Sequence, residues 1–274
     1  MATCYRHPNR ETGVSCSNCG NPICPDCMTP TPVGMRCPDC ARQKTPVRTM
    51  RSMHADPTVT YVLIAVNVLL FVGASGGGLA IGSGGGTSAF RDLALFGPAI
   101  GQGHEYWRLI TSGFMHAGLL HIFFNMYVLL WLGRMLEPAL GHVRFAALYF
   151  ASLLSGSFGA LLLNPDSYTV GASGAAFGLL AAGILAMRAR GIDPMQSGLG
   201  LTLVLNLGIT LLIPGITIGG HLGGLVGGAL AAYAMEQLAR RRAGVALPVA
   251  ACVAVAAVAV AGSLAVAGSA TGLG

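Results

Sequence analysis

Seven apolar runs, each long enough to be read as one crossing of a lipid bilayer, dominate the 274-residue chain and leave it little choice of architecture. A helix needs about 20 predominantly apolar residues to cross the hydrocarbon core. There it satisfies every backbone N–H and C=O within its own segment, which an open strand cannot do. The runs fall at 58–76, 114–135, 144–163, 171–188, 197–214, 217–237 and 245–268. With 53% hydrophobic and 9% charged residues, the chain has too little polar surface to cover a soluble globule of its length. Its 40 glycines would weaken helices in water, but in lipid they let helices approach closely. The expected fold class is an all-α polytopic membrane protein.

The positive charge gives the bundle an orientation. If the runs alternate in direction, Arg42, Lys44, Arg48 and Arg51, then Arg134 and Arg144, then Arg188 and Arg190, then Arg240, Arg241 and Arg242 share one side, and only Arg91 and Arg108 face the other. Cytoplasmic flanks carry the excess of Lys and Arg, so the N-terminus is expected in the cytosol. The first 50 residues, polar and rich in Cys and Pro, lack the pattern of a cleavable signal peptide. Heavy Ala and Gly usage suits a GC-rich bacterial source and hence a bacterial plasma membrane. The long segment from Gly76 to Gly113 carries Phe90-Arg91-Asp92, Phe96-Gly97-Pro98 and Tyr106-Trp107-Arg108, and reads as an ordered loop at the interface, with Trp107 and Arg108 anchoring it among the headgroups.

In this topology the second, fourth and sixth runs all pass from outside to inside, so their N-terminal ends share one depth in the outer leaflet. Those ends carry His116, His121 and Asn125 on the second run, Ser173 opening the fourth, and His221 opening the sixth. Polar groups within a bilayer are costly and mark function by default. A serine hydroxyl beside an imidazole suits nucleophilic hydrolysis, with His221 as base for Ser173. His121, Asn125 and the Ser173 backbone N–H can serve as donors to a tetrahedral oxyanion. His121 and Asn125 are one helical turn apart and share a face. None of the ten acidic residues falls within an apolar run near this layer, so the expected unit is a Ser-His dyad and not a triad. Phe177 lies one turn beyond Ser173, where it can buttress the imidazole, and Gly224 and Gly228 allow the fourth and sixth runs to pack closely.

At these residues the chain resembles the rhomboid family of intramembrane proteases. The resemblance rests on Trp107-Arg108, His116 with His121-Ile-Phe-Phe-Asn125, Gly171-Ala-Ser173-Gly174 and Gly220-His221-Leu-Gly-Gly224, and covers about residues 57–238. It implies a six-helix bundle that cleaves transmembrane protein substrates near their outer end, with Ser173 as nucleophile, His221 as base, His121 and Asn125 as oxyanion donors, and no cofactor for catalysis. Phe177 stands where characterised members often have Tyr, which keeps ring stacking and removes a hydroxyl. The seventh run is an addition to the basic form. Three other readings stay open: a catalytically inactive relative that binds membrane clients, a channel or a transporter. The transporter reading is weakened by the lack of an internal repeat. A zinc metalloprotease is disfavoured, because no H-E-x-x-H occurs.

The N-terminal block contains four pairs with two intervening residues: Cys4 with His7, Cys16 with Cys19, Cys24 with Cys27, and Cys37 with Cys40. Eight such ligands suit two tetrahedral Zn2+ ions, whose thiolate bonds supply folding energy that so short a segment lacks. An iron–sulfur site is a minor alternative. The module resembles a B-box-type zinc finger, which implies cross-bracing: Cys4 and His7 with Cys24 and Cys27, and Cys16 and Cys19 with Cys37 and Cys40. Sequential pairing stays open. The expected partners are transmembrane substrates, membrane lipid and a cytosolic protein docking on the module, with no nucleic acid, since the block lacks a dense basic face. The expected division is a zinc-binding module at 1–44, a linker at 45–57, a rhomboid-like protease domain at 58–238 and the additional helix within 239–274.

Overall fold

The computed structural model describes residues 2–42, 56–74, 87–213, 215–241 and 243–269. Lys44, Arg48, Arg51 and Arg242, most of the 45–57 linker and the glycine-rich start of the first long loop lie outside the described residues. The chain forms two compact units, Met1–Met53 and His54–Gly274, divided inside the expected linker.

The smaller unit is built from two antiparallel ribbons and one turn of helix. Strand β1 (Ala2–Thr3) pairs with β2 (Glu11–Thr12), and β3 (Thr29–Thr31) with β4 (Gly34–Arg36), followed by α1 (Pro38–Arg42). Its buried core consists of Cys4, Cys16, Cys24, Cys27, Cys37 and Cys40 around a single aliphatic side chain, Ile23. Elements this short cannot bury enough apolar surface to offset the entropy of ordering them.

The larger unit is helical. Helices α2 (Thr58–Ala74), α6 (Leu119–Leu140), α7 (His142–Leu163), α8 (Ser173–Ala189), α9 (Leu199–Leu212), α10 (Ile218–Arg240) and α11 (Ala246–Ser269) occupy the seven predicted runs; α3 (Ser88–Leu93), α4 (Gly97–Gly101) and α5 (Arg108–Thr111) lie in the first long loop. Four of them, α6, α7, α10 and α11, are long and apolar enough to cross a membrane. Together with the broad apolar exterior, where Leu69, Phe123, Phe124, Tyr127, Leu205, Leu212 and Val258 are exposed, they make this a multi-pass membrane protein. Among the described residues α2 and α8 have 17 residues each, at the lower limit for a crossing, and α9 has 14, short of one.

Helix α7 is the axis, packed against α8, α10 and α11. The contacts among α7, α8 and α10 are made largely by backbone. A Cβ on Gly224 of α10 would lie 2.0 Å from the Gly174 carbonyl oxygen of α8, and one on Gly159 of α7 would lie 2.2 Å from that of Gly219. Glycine is what permits helix axes to come this near. The close approach expected from Gly224 and Gly228 is present, and α7 shares in it.

Two local features differ from the sequence reading. The second long helix starts at Leu119 and not at 114, because Ser112–Phe114 forms a 3-10 turn and Gly118 caps the helix in an extended conformation. His116 therefore precedes α6. At its other end α6 continues to Leu140 and contributes Glu137, fully buried, to the start of α2. The Glu137 carboxylate accepts the Val59 and Thr60 backbone N–H groups at 2.8 Å each and the Thr60 hydroxyl at 2.6 Å. It satisfies unpaired donors at a helix N-terminus and complements the dipole there.

Candidate active site

Two helix starts meet at the site. Helix α8 begins at Ser173 itself, and α10 begins at Ile218, where the Thr217 hydroxyl accepts the Gly220 N–H and fixes the first turn that carries His221. Ser173 Oγ lies 2.8 Å from His221 Nε2. The Phe177 ring stacks on the imidazole with centroids 4.3 Å apart and planes 19° from parallel. The other ring nitrogen, Nδ1, lies 2.6 Å from the Thr210 hydroxyl of α9. Sequence reasoning missed Thr210. One threonine in an apolar helix carries no signal of its own, and its proximity to His221 depends on how α9 and α10 pack.

His121 and Asn125 occupy the first two turns of α6. The Ala117 N–H donates to His121 Nδ1 at 3.4 Å, so in the neutral ring the proton sits on Nε2, which is left as a donor. Asn125 donates one amide proton to the His121 carbonyl at 2.9 Å and keeps a second for use elsewhere. Gly171 connects this helix to the serine. Its φ is +127°, and a Cβ there would lie 2.8 Å from His121 Nε2 and 3.6 Å from Ser173 Oγ. The His121 donor and the serine hydroxyl thus border one small gap that a side chain at 171 would occupy. His116 is buried with its ring edge-on to His121 at 5.1 Å, and neither of its ring nitrogens has a protein partner among the described residues. A cavity of about 30 Å³, lined by Ser112, Gly156, Ser157, Thr169 and Thr217, opens beside Ser173.

The first long loop is folded against this layer. Leu95 and Thr169 exchange backbone hydrogen bonds at 2.9 and 3.0 Å, Gly97 N–H donates to the Pro165 carbonyl at 2.8 Å, and Phe96 stacks on Tyr168. The Gly171 N–H donates to the Ser112 carbonyl at 2.9 Å, which ties the segment before Ser173 to the loop. Arg108 is not a headgroup anchor. Its guanidinium is buried, ion-paired with Glu105 and donating to the Arg91 and Ala94 carbonyls, so its charge is spent bracing the loop from within. Trp107 remains half exposed.

In the N-terminal unit the ligand candidates form two sets, Cys4, His7, Cys24 and Cys27, and Cys16, Cys19, Cys37 and Cys40, each with its ligand atoms within 4.8 Å of one another. This is the cross-braced arrangement, not the sequential one. Cys4 and Cys27 sulfurs are 3.9 Å apart and those of Cys19 and Cys37 3.8 Å. Tetrahedral Zn–S bonds of about 2.3 Å set sulfurs about 3.8 Å apart, so the donor sets fit a metal ion. His7 faces its three sulfurs through Nδ1, at 3.3 to 3.9 Å. Burial opposes ionisation of Cys4, but backbone N–H groups of Arg6, Cys24 and His7 outweigh it and bring the thiol down to about 6. Backbone donors from Cys19 and Cys37 likewise hold Cys16 at about 6.

Residues 103–238 match the Rhomboid domain family. Over 189 residues the chain is 33% identical to the rhomboid protease GluP of Bacillus subtilis, covering 66% of this chain and 36% of that protein. It is 36% identical over 143 residues to rhomboid-like protease 1 of Toxoplasma gondii, covering 49% of this chain and 48% of the relative. It is also 36% identical over 89 residues to the inactive RHOMBOID-like protein 8 of Arabidopsis thaliana, covering 32% and 25%. The chain thus spans less than half the length of each of these relatives.

Proposed function

The chain carries a rhomboid domain and belongs to the rhomboid family, and on that premise we propose that it is an intramembrane serine endopeptidase that cleaves membrane proteins in or near their transmembrane segments through a Ser173–His221 dyad. The observation that carries this reading is the 2.8 Å separation of Ser173 Oγ and His221 Nε2 at the meeting of two helix N-termini. In the first step Oγ bonds to the scissile carbonyl carbon while its proton passes to Nε2. The oxyanion that forms faces the His121 Nε2–H, the free amide proton of Asn125 and the Ser173 backbone N–H, with the positive end of the α8 dipole beneath it. Collapse breaks the C–N bond, and the departing amine takes the proton from Nε2. Water then loses a proton to Nε2, attacks the acyl carbon and frees Ser173, which recovers its hydrogen. Phe177 holds the imidazole plane, and Gly171 keeps open the gap in which the carbonyl sits.

The distribution of Arg134, Arg144, Arg188, Arg190, Arg240 and Arg241 at one set of helix ends supports a cytosolic N-terminus and an active site in the outer leaflet, and the Ala- and Gly-rich composition suits a bacterial plasma membrane. The N-terminal unit holds two structural Zn2+ ions, one on the set of three Cys and one His and one on the set of four Cys, which tie together ribbons whose only buried aliphatic side chain among the described residues is Ile23. The catalytic steps at Ser173 and His221 need no metal. The closed ligand sets suit docking of a cytosolic protein.

The test is cleavage of a transmembrane-segment reporter by purified protein in liposomes, comparing wild type with Ser173→Ala and His221→Ala. Loss of cleavage in both folded variants is expected. If Ser173→Ala cleaves as well as wild type, or if wild type cleaves no reporter, the protease reading gives way to that of an inactive client-binding relative.

A further inference from the structure

Helix α9 turns most of its surface outward. Leu201, Val204, Leu205, Ile209, Leu211 and Leu212 are exposed, and only Leu199, Gly200 and Thr210 are buried. Thr210 is the polar member of that set, 3% exposed, and its hydroxyl meets two groups: the Asn206 carbonyl one turn back at 2.7 Å and His221 Nδ1 at 2.6 Å.

The hydroxyl has one proton to give and lone pairs to accept with. A carbonyl can only accept, so the hydroxyl proton lies on the Asn206 oxygen and the lone pair faces Nδ1. Nδ1 must then carry the ring proton. A neutral imidazole has one N–H, which leaves Nε2 bare at 2.8 Å from Ser173 Oγ. That is the tautomer able to accept the serine proton. In the reverse arrangement, a hydroxyl proton aimed at Nδ1 would move the ring proton to Nε2, where it would point at Ser173 and block the transfer. Among the described residues Nδ1 has no other hydrogen-bond partner.

We infer that Thr210 is the positioning residue for the general base: it accepts the Nδ1–H of His221, selecting the tautomer whose Nε2 takes the Ser173 proton, from the position where a triad has its carboxylate. The inference rests on the Ser173–His221 reading above. When the proton moves from Oγ to Nε2, the resulting imidazolium keeps its Nδ1–H on Thr210, and the proton on Nε2 goes on to the leaving amine, so Thr210 itself neither gains nor loses a proton. A threonine that only bonds back along its own helix has a different signature. Thr202 does this, donating to the Gly198 carbonyl at 2.9 Å, and provides the control.

The full chain in liposomes is assayed with the same reporter as wild type, Thr210→Val, Thr210→Ser, Thr202→Val and Ser173→Ala. Thr210→Val keeps the shape and loses the acceptor, and kcat is expected to fall about tenfold, the equivalent of one neutral hydrogen bond, with KM within about twofold. Thr210→Ser restores the acceptor and stays within about threefold of wild type, and Thr202→Val is unchanged. Selective ¹⁵N-histidine labelling, with the His221 signals assigned by their loss in His221→Ala, is expected to show the Nδ1–H tautomer in wild type and its loss in Thr210→Val. A Thr210→Val kcat within about twofold of wild type, or an Nε2–H tautomer in wild type, overturns the inference. If Thr210→Val does not fold, the wild-type tautomer decides. Activity surviving in Ser173→Ala would instead remove the dyad reading itself, a failure distinct from that of Thr210.

Discussion

Gly171→Ala adds one methyl group at the point where the site has least room. At φ +127° the backbone is in a region that L side chains rarely adopt, which costs of order 1–3 kcal/mol of stability. The new Cβ would also lie 2.8 Å from His121 Nε2 and 2.9 Å from its Cε1, so the ring has to turn out of the gap it shares with Ser173 Oγ. Loss of one oxyanion donor costs about 2.7–4 kcal/mol of transition-state stabilisation, or roughly 10²–10³ in kcat. Gly141→Ala separates the two effects. Gly141 has φ +80° with nothing within 4 Å of the added Cβ, so that variant carries a comparable backbone penalty with no clash. Thermal unfolding in detergent and reporter cleavage in liposomes should show a lower Tm for both variants but a collapse of kcat only for Gly171→Ala. Equal kcat in the two would refute the argument that the position is kept empty for the oxyanion.

Glu137→Gln removes the buried charge that caps α2, and stability should fall by about 1–3 kcal/mol in thermal unfolding while kcat of the folded fraction is unchanged. Gly224→Ala sets a Cβ 2.0 Å from the Gly174 carbonyl oxygen, and should cost about 1–3 kcal/mol together with most of the activity, since α8 and α10 carry the two halves of the proposed dyad. Elemental analysis of the full chain should find two zinc ions, and Cys16→Ser should reduce this to one. Stripping both with a strong chelator should expose the thiols of residues 4–40 to alkylation and leave reporter cleavage intact; a loss of cleavage would contradict a purely structural role.

Hydropathy located the seven helices because a segment that faces lipid must be apolar along its length, and the two-residue spacing of the Cys and His pairs pointed to the metal ligands; Ser173 and His221 drew notice as polar groups at the starts of apolar runs, and the structure sets them 2.8 Å apart. The remaining features depend on distant partners. Glu137 reaches Val59 and Thr60 across 78 and 77 positions, and lies just past the end of the second apolar run, where an acidic residue looks like a helix flank. Arg108 beside Trp107 has the composition of an interfacial anchor, and only the fold of the loop reveals the carbonyls it serves. Thr210 precedes His221 by 11 residues on a separate helix. His116 looked helical because apolar residues surround it, but Gly118 delays the start of α6.

The interfaces among α7, α8 and α10 have a consequence for mutational tolerance. Where helices meet through side chains, a rotamer change can absorb a small error, but Gly224 against Gly174, Gly228 against Gly178 and Gly159 against Gly219 offer no rotamer to adjust. The separation of Ser173 and His221 is therefore inherited directly from main-chain geometry, with almost no slack between scaffold and chemistry. Glycine to alanine, ordinarily among the mildest of exchanges, becomes one of the harshest here, and the plainest stretches of the sequence are those with the least freedom to vary.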